Sequence, residues 1–372
     1  MSDTIFSEED RCPSKVITVP LHKHGHEVYI NIGIGNPVQT VKAKLDFQTH
    51  YSLIVDKKSN LFGKEAAFNG GYSTNSDSSF NNKLNAYQEN DQTSKVLGLY
   101  GQSNFEIGNK LARKYFLNMI YRYHSDPKYY PWVWQLYIDS NGSGVLKSFG
   151  FGYQNYVKYE SNGFTNGFLG LEPRFKDTTP NGFFSSETSI MDFLGPDKMI
   201  TIDMRNGKSS FSLGNTICAN ETINWMKSEN NDSFEFKIED IIVKGKKIDD
   251  NTDNKIRNRN ITAVFNPRYR DIYIEKTFAD KINNPSFQVK PGCNMDFGSV
   301  LFHSNNIKIG LKPESFLRSG LVFCYSDVKT IDSSYPPNKW IFGWSFNKGR
   351  AIVYDYERSR VGIVDEESIK PK

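Results

Sequence analysis

The sequence predicts an all-β protein built from two related halves. Short runs rich in Val, Ile, Phe and Tyr recur along the 372 residues and are separated by Gly, Asn and Pro. This is the pattern of short strands joined by turns. Helical signals are few, and one strand-turn-strand unit occurs in each half of the chain. The clearest strand runs are residues 27–35, 94–108, 209–214, 234–248 and 350–364.

Two segments are expected to form short helices. Residues 185–195 offer a serine cap and end at a glycine, which are the usual helix start and stop signals. Residues 116–124, FLNMIYRYH, are the second candidate. Both are short beside the strand runs, so the predicted class is mostly β.

A weak internal repeat indicates two lobes. In each copy an apolar strand runs into Asp46 or Asn266, a turn follows, and a second strand comes next. A later apolar strand ends in Gly in both copies. The first parts are residues 42–55 and 261–274, and the later strands are residues 167–171 and 340–344. The polar turns are expected to face a cleft between two homologous lobes.

These motifs resemble the pepsin family of aspartic peptidases, in the family's order and from about Val28 to Val364. The segments that carry the likeness are EVYINIGIGNPVQTVKAKLDF, NGFLGLEP and KWIFGWSFNKGRAIVYDYERSRVGIV. The resemblance implies a pepsin-like bilobal fold, with two β-barrel-like lobes at 1–210 and 211–372. The first lobe is longer between its two motifs, which suggests an aromatic insertion at 109–143.

The resemblance also implies where a catalytic site would lie. The family's first aspartate aligns with Asp46, but its second falls on Asn266. Aspartic peptidases need two close carboxylates that share one proton, so that one acts as base and the other as acid. An amide cannot take up or release that proton. Asp271 is the only nearby carboxylate that could substitute.

Residues around both positions also depart from the family pattern of a small hydroxyl residue, a glycine and another hydroxyl residue. The corresponding residues are Phe47, Gln48 and Thr49 in one lobe and Pro267, Arg268 and Tyr269 in the other, and Trp344 replaces a downstream family aspartate. We therefore expect a pseudopeptidase that binds a peptide, protein or glycan without cleaving it. An active aspartic endopeptidase with an atypical site and a structural or interaction protein of the extracellular space are the alternatives.

A flap over the cleft is a further expectation from the resemblance. The family's flap tyrosine aligns with Tyr87, and the polar run 88–91 stands where active members have a glycine-rich tip. A plain surface hairpin is the alternative interpretation. The aromatic residues of the insertion either cover extra core or form a recognition surface; they are Tyr121, Tyr123, Tyr129, Tyr130, Trp132, Trp134 and Tyr137.

Cysteines and glycosylation motifs favour a secreted or lumenal protein. Cys293 and Cys324 match the disulfide of the family's C-terminal lobe, and a second bridge between Cys12 and Cys218 is a hypothesis. Closing a loop of about thirty residues stabilises a fold by ~3–4 kcal/mol. Asn-x-Ser/Thr motifs that mark possible glycosylation sites begin at Asn141, Asn220, Asn231 and Asn260. No leader is visible at the start of the sequence.

Composition excludes several other classes. Basic and acidic residues are nearly balanced, at 46 and 42, and no basic block suggests nucleic-acid binding. No run approaches the ~18 apolar residues that a membrane span needs. His22, His24 and His26 could share one strand face as a metal patch, but nothing completes the ligand set and a polar hairpin entry is favoured. We expect a monomer without metal or cofactor.

Overall fold

The computed structural model describes most of the chain, and for parts of strands between 81 and 150 it describes the backbone alone. The described residues are 13, 16–48, 52–55, 72–73, 76–90, 95–124, 132–138, 144–150, 165, 167–173, 190, 194, 197–205, 207, 209–231, 233–243, 246–247, 260–283, 300–304, 307–311, 313–319, 324–331 and 335–365.

Strands dominate the described residues, so the predicted all-β class is confirmed. The first strands are β1 (Ile17–Pro20), β2 (His22–His24), β3 (Glu27–Ile34), β4 (Gln39–Asp46), β5 (Leu53–Val55), β6 (Asn81–Asn90), β7 (Lys95–Ile107), β8 (Lys110–His124), β9 (Trp132–Ile138), β10 (Gly144–Gly150), β11 (Gly167–Gly170), β12 (Met199–Asp203) and β13 (Ser210–Leu213). No helix in the described part of the chain is long and apolar enough to cross a membrane.

The rest of the chain adds more short strands and two short helices. These are β14 (Asn224–Lys227), β15 (Phe236–Lys237), β16 (Asp240–Val243), β17 (Lys246–Lys247), β18 (Thr262–Phe265), β19 (Ile272–Ile274), α1 (Lys276–Ile282), β20 (Val300–Ser304), β21 (Ile307–Leu311), α2 (Pro313–Phe316), β22 (Leu317–Ser319), β23 (Cys324–Ser326), β24 (Val328–Thr330), β25 (Lys339–Phe342), β26 (Arg350–Asp355) and β27 (Arg360–Asp365).

The chain groups into two compact units whose boundaries differ from the predicted 1–210 and 211–372. Unit 1 consists of Met1–Leu21, Phe193–Ile331 and Pro337–Lys372, and unit 2 consists of His22–Asp192 and Asp332–Pro336. The first strand and residues 193–210 therefore belong with the C-terminal half. The reason is a shared sheet in unit 1, in which β1, β13 and β12 are joined to β26, β27 and β14.

Unit 2 contains an eight-stranded sheet with the order β2-β3-β4-β11-β5-β8-β7-β6. In its middle, β11 lies between β4 and β5, parallel to β4 and antiparallel to β5. On its other side β5 pairs in parallel with β8. Asp46, the last residue of β4, is thereby placed opposite Gly170 of β11.

The five-stranded sheet of unit 1 has the same four-strand arrangement. Its order is β15-β18-β25-β19-β24, and β25 lies between β18 and β19, parallel to β18 and antiparallel to β19. Here β19 pairs in parallel with β24. The strands β4, β5, β8 and β11 thus correspond to β18, β19, β24 and β25. The repeat seen in the sequence coincides with this arrangement.

Central strands of both arrangements are buried throughout, which explains their apolar sequences. All four residues of β11 (GFLG) and of β18 (TAVF) are buried, and strands covered on both faces read as continuous apolar runs. Aromatic rings fill the core beside β18, where the ring of Phe265 lies 4.8 Å from Phe236 and 5.2 Å from Phe346. The end of β18 is therefore embedded in packed side chains.

The helix expected at residues 116–124 is wrong, because these residues belong to β8. That strand pairs with β7 along its length and with β5 at Asn118–Ile120, so backbone groups on both sides are used by neighbouring strands. Asn118–Ile120 of β8 pair in parallel with β5 as Val328–Thr330 of β24 pair with β19 in unit 1. Strand β9, which lies within the predicted insertion, pairs antiparallel with β10. The other predicted helix lies outside the described residues except for Ile190 and Leu194.

A buried carboxylate organises the turn between β3 and β4. The side chain of Asp77 is only 7% exposed. It accepts hydrogen bonds from the backbone N–H of Asn36 (2.8 Å), the hydroxyl of Tyr72 (2.6 Å) and the hydroxyls of Ser79 and Ser103. Burial raises the pKa of Asp77, but these hydrogen bonds outweigh burial, so its pKa is lowered from the ordinary value of 3.8.

Asp77 also explains a glycine in that turn. Gly35 has φ +94°, a conformation that favours glycine. A Cβ at this position would lie 2.7 Å from the carboxylate carbon of Asp77, which is well inside van der Waals contact. The turn therefore depends on the carboxylate of Asp77 and on the absent side chain of Gly35 together.

We expect Asp77→Asn to lower the free energy of unfolding by about 1–3 kcal/mol at neutral pH, because an amide offers one acceptor where the donors require two. A carboxyl with a lowered pKa stabilises the fold above its unfolded pKa, and this contribution is lost as pH falls through the folded pKa. The difference between wild type and variant should therefore shrink below about pH 3.8. Urea unfolding at several pH values measures it.

Asp197→Asn is the matched control, since Asp197 accepts one backbone hydrogen bond from Asn215 in the described contacts. We expect a smaller loss for this variant. Equal losses for the two variants at neutral pH would contradict the role assigned to Asp77.

Candidate functional site

The Asp46 turn follows directly from the end of β4. Asp46 is completely buried, and its backbone carbonyl accepts the N–H of Leu171 at 2.7 Å. One carboxylate oxygen accepts the backbone N–H of Gln48 at 2.9 Å. An Asp side chain that bonds the backbone two residues later forms an Asx turn. The carboxylate of Asp46 therefore holds the turn that leaves the strand.

The Asn266 turn has the same construction. Asn266 follows β18, is completely buried, and donates its backbone N–H to the carbonyl of Phe342 at 2.9 Å. Its side-chain oxygen accepts the N–H of Arg268 at 3.1 Å, and the N–H of Tyr269 bonds the Asn266 carbonyl at 3.2 Å. Asn followed by Pro267 is a favoured start for such a turn.

Asn266 thus occupies in unit 1 the position that Asp46 occupies in unit 2. Asp46 is the last residue of β4 and Asn266 directly follows β18, and both side chains accept the N–H two residues on. The alignment predicted from the sequence repeat agrees with this geometry. The amide preserves the hydrogen bond of the turn, but it lacks a titratable proton.

Gly343 lets the chain pass close to the Asn266 turn. Its N–H bonds the carbonyl of Asp271 at 3.1 Å, and the next two N–H groups bond the carbonyls of Tyr269 and Arg270. A Cβ on Gly343 would lie 2.6 Å from the carbonyl carbon of Arg270 and still closer to the carbonyl oxygen of Asp271. These are backbone atoms that cannot move aside independently. The close approach therefore requires glycine.

The described residues that depart from the pattern of the resembled family are buried or half-buried. Phe47 is completely buried, and Gln48 donates its side-chain N–H to the hydroxyl of Tyr335 at 2.8 Å. Arg268 is 8% exposed, and its guanidinium lies 5.7 Å from the ring of Tyr269. Trp344 is buried with the ammonium of Lys348 5.6 Å from its ring. Thr49 lies outside the described residues.

Asp271 belongs to a buried group of paired charges. Its carboxylate lies 3.6 Å from the guanidinium of Arg270, which also lies 3.5 Å from Asp327. Arg318 bonds the same oxygen of Asp327. The described contacts thus give Asp271 an ion-pair partner on its own turn, and the backbone carbonyl of Asp271 is used by Gly343.

A buried ion pair close to Asp46 in sequence was missed by the sequence analysis. The ammonium of Lys44 lies 2.8 Å from the carboxylate of Glu27, and both side chains are at most 5% exposed. The hydroxyl of Thr165 donates to the same carboxylate oxygen at 3.3 Å. Lys44 is two residues before Asp46 on β4. The sequence carries no clear signal for this pair, because Lys44 follows Lys42 in the same alternation and Lys42 is only half-buried.

Other predicted site residues are located only in part. Tyr87 lies in β6 opposite Gly98 of β7, with which β6 pairs antiparallel. Its side chain, residues 91–94 and the side chains of the aromatic insertion lie outside the described residues. The flap and recognition roles of these residues remain predictions.

Among the histidines, His22 stacks on Tyr29 with ring centroids 5.3 Å apart. A ring nitrogen of His22 also lies 3.4 Å from the side-chain amide of Asn31. Within the described part of the chain, no group of three His, Cys, Asp or Glu residues could hold a metal ion. These contacts fit the favoured interpretation of a polar entry to the first hairpin.

Cys218 is half-buried. Cys12, Cys293 and the side chain of Cys324 lie outside the described residues, so both predicted pairings remain predictions. Around Cys218, the backbone N–H bonds Glu221 at 3.1 Å, and Arg205 pairs with Glu221. This short loop is therefore held by the pair of Glu221 and the buried Arg205.

Three of the four predicted glycosylation motifs begin at exposed turn residues. Asn220, Asn231 and Asn260 are exposed, and Asn260 has a positive φ of 49°. Asn141 lies outside the described residues. Exposed turns are accessible positions for a bulky glycan.

No model of a protein family matches the chain, and a search of curated protein sequences finds no significant match.

We expect Gly343→Ala to lower the free energy of unfolding by about 1–3 kcal/mol, because the new methyl group collides with backbone carbonyl groups. Gly310→Ala is the matched control, since its Cβ would meet one leucine methyl at an ordinary 3.6 Å. Urea unfolding of both variants measures the difference. A Gly343→Ala variant as stable as Gly310→Ala would show that the close approach is absent.

A second pair of variants tests the turn at Asp46. Asp46→Asn should be nearly neutral, because the amide oxygen can accept the Gln48 N–H as Asn266 does in its own turn. Asp46→Ala removes that acceptor and should lower the free energy of unfolding by about 1–3 kcal/mol. The comparison uses thermal and urea unfolding at neutral pH. Equal destabilisation by the two substitutions would contradict the proposed role of the side-chain oxygen.

Proposed function

We propose that the chain is a pepsin-like pseudopeptidase, which binds a peptide, protein or glycan in or near the cleft that the family resemblance implies, and does not cleave it. The observation that carries this proposal is the equivalence of Asp46 and Asn266 in the two four-strand arrangements. The occurrence of the four-strand arrangement in both units supports the pepsin-like interpretation. The amide of Asn266 supports the proposed loss of catalysis.

The lost chemistry can be stated as a proton balance. In a carboxylate pair, one group removes a proton from water as the water attacks the peptide carbonyl, and the other group donates a proton. Asn266 can hydrogen-bond a water molecule but can perform neither transfer. Asp46 alone then lacks the partner that would share its proton. Asp271 forms an ion pair with Arg270 instead.

A restored carboxylate at position 266 would still lack its usual surroundings. Pro267 cannot provide a hydroxyl, and Arg268 stands where the family has glycine. The substitutions on both turns thus support loss of the reaction rather than a change at one atom.

Secretion or entry into a lumenal compartment forms part of the same proposal. The even number of cysteines and the two predicted pairings support it, because disulfides persist mainly in oxidising compartments. The exposed positions of Asn220, Asn231 and Asn260 are compatible with attached glycans. We propose a monomer that needs neither metal nor cofactor.

The proposal predicts no peptidase activity at acid pH. A denatured protein substrate should remain uncut between about pH 3 and 6, where a carboxylate pair that shares one proton is active. The assay compares wild type, Asp46→Ala and Asn266→Asp, with and without a transition-state inhibitor of aspartic peptidases. All three proteins should give the same inhibitor-insensitive background.

Inhibitor-sensitive cleavage by wild type that disappears in Asp46→Ala would favour the active-endopeptidase alternative and sink the pseudopeptidase proposal. A displayed peptide library tests the binding arm separately. Enrichment of a peptide that wild type binds supports the proposed function. A failure to enrich any peptide, together with no binding to a glycan array, would favour the structural alternative.

A further inference from the structure

We propose that the hydrogen bond between the side chain of Gln48 and the hydroxyl of Tyr335 is a latch that keeps the Asp46 carboxylate closed to solvent and to ligands. This inference goes beyond the proposed function, because it concerns access to Asp46 and holds whether or not the protein binds a peptide.

Burial of Asp46 is the first observation. A carboxylate that activates water must be reached by water, but Asp46 is 0% exposed. One of its oxygens is occupied by the N–H of Gln48 at 2.9 Å. Gln48 therefore makes both contacts: its backbone N–H binds the Asp46 carboxylate, and its side chain forms the latch.

The side chain of Gln48 provides the second observation. It is half-buried, and it donates to the Tyr335 hydroxyl at 2.8 Å across 287 residues of sequence. Tyr335 is also half-buried and, like Gln48, belongs to unit 2. Glycine at position 48 would have no side chain with which to make this contact. The glutamine that stands at this position thus adds a hydrogen bond to Tyr335.

The backbone bond and the side-chain bond of Gln48 act together. The Asx turn fixes the position of the Gln48 backbone, so its side chain has a defined origin from which to reach Tyr335. Holding Tyr335 there places an aromatic residue beside the turn. A ligand that requires the Asp46 carboxylate must first break the Gln48–Tyr335 bond. Access to Asp46 therefore depends on this hydrogen bond.

Chemical labelling of carboxylates tests the latch without relying on any ligand. Native protein is treated with a water-soluble carbodiimide and glycinamide, and labelling of single residues is followed by peptide mapping. Glu357, which is exposed in the turn after β26, provides the reference rate. In wild type, Asp46 should be labelled much more slowly than Glu357.

Two variants open the latch in different ways. Tyr335→Phe removes only the hydroxyl oxygen, and Gln48→Ala removes the side-chain amide. Loss of one hydrogen bond of ordinary strength should raise the open population, and hence the labelling rate of Asp46, about two- to tenfold. Tyr325→Phe is the matched control, because Tyr325 is 55% exposed, and it should leave the rate unchanged.

Asp77 distinguishes a local opening from general loosening, since it is buried in the same unit. Faster labelling of Asp46 with unchanged labelling of Asp77 supports the latch. Equal acceleration at both residues overturns it, and so does wild-type labelling of Asp46 at the rate of Glu357. Unchanged labelling in folded Tyr335→Phe also overturns it. None of these outcomes depends on peptidase activity, so the latch and the proposed function fail separately.

Discussion

The insertion of one strand between two others is the constraint on which both turns depend. In each unit, β11 or β25 pairs in parallel with the first strand and antiparallel with the second. The first strand must therefore end where the inserted strand ends, and the chain must leave through a tight turn. That turn needs a side-chain acceptor at its first residue, and in unit 1 it needs Gly343 beside it. Asp46 and Asn266 meet the first need equally.

Because Asp46 and Asn266 make the same hydrogen bond, the structural role of this position can be distinguished from its chemical role. An Asx turn requires an oxygen that accepts an N–H, and a carboxylate and an amide both offer one. Proton transfer requires a group that titrates, and only the carboxylate offers that. The fold can therefore keep its geometry after the exchange of Asp for Asn. Folding alone therefore does not require a carboxylate at this position.

Sequence patterns predicted the strands and the repeat well, because both are local. Runs rich in Val, Ile, Phe and Tyr identified β3, β7 and β26, and the two strand-turn-strand units coincided with matching sheets. The pattern failed at β8, where apolar residues fall at helical spacing but the strand is paired on both sides. Contacts between distant residues also escaped prediction. Neither the Gln48–Tyr335 bond nor the Asp77 network leaves a periodic signal in the sequence.

Two independent features of the chain support the proposal of binding without cleavage. In unit 1, Asn266 offers an amide at the position that corresponds to Asp46. In unit 2, Gln48 bonds Tyr335 beside a completely buried Asp46. Restoring the carboxylate would leave Asp46 closed, and opening the latch would leave the amide in place. Together, these two features support the proposed absence of cleavage through both the missing carboxylate and the closed Asp46. Binding without cleavage is the function most compatible with this combination.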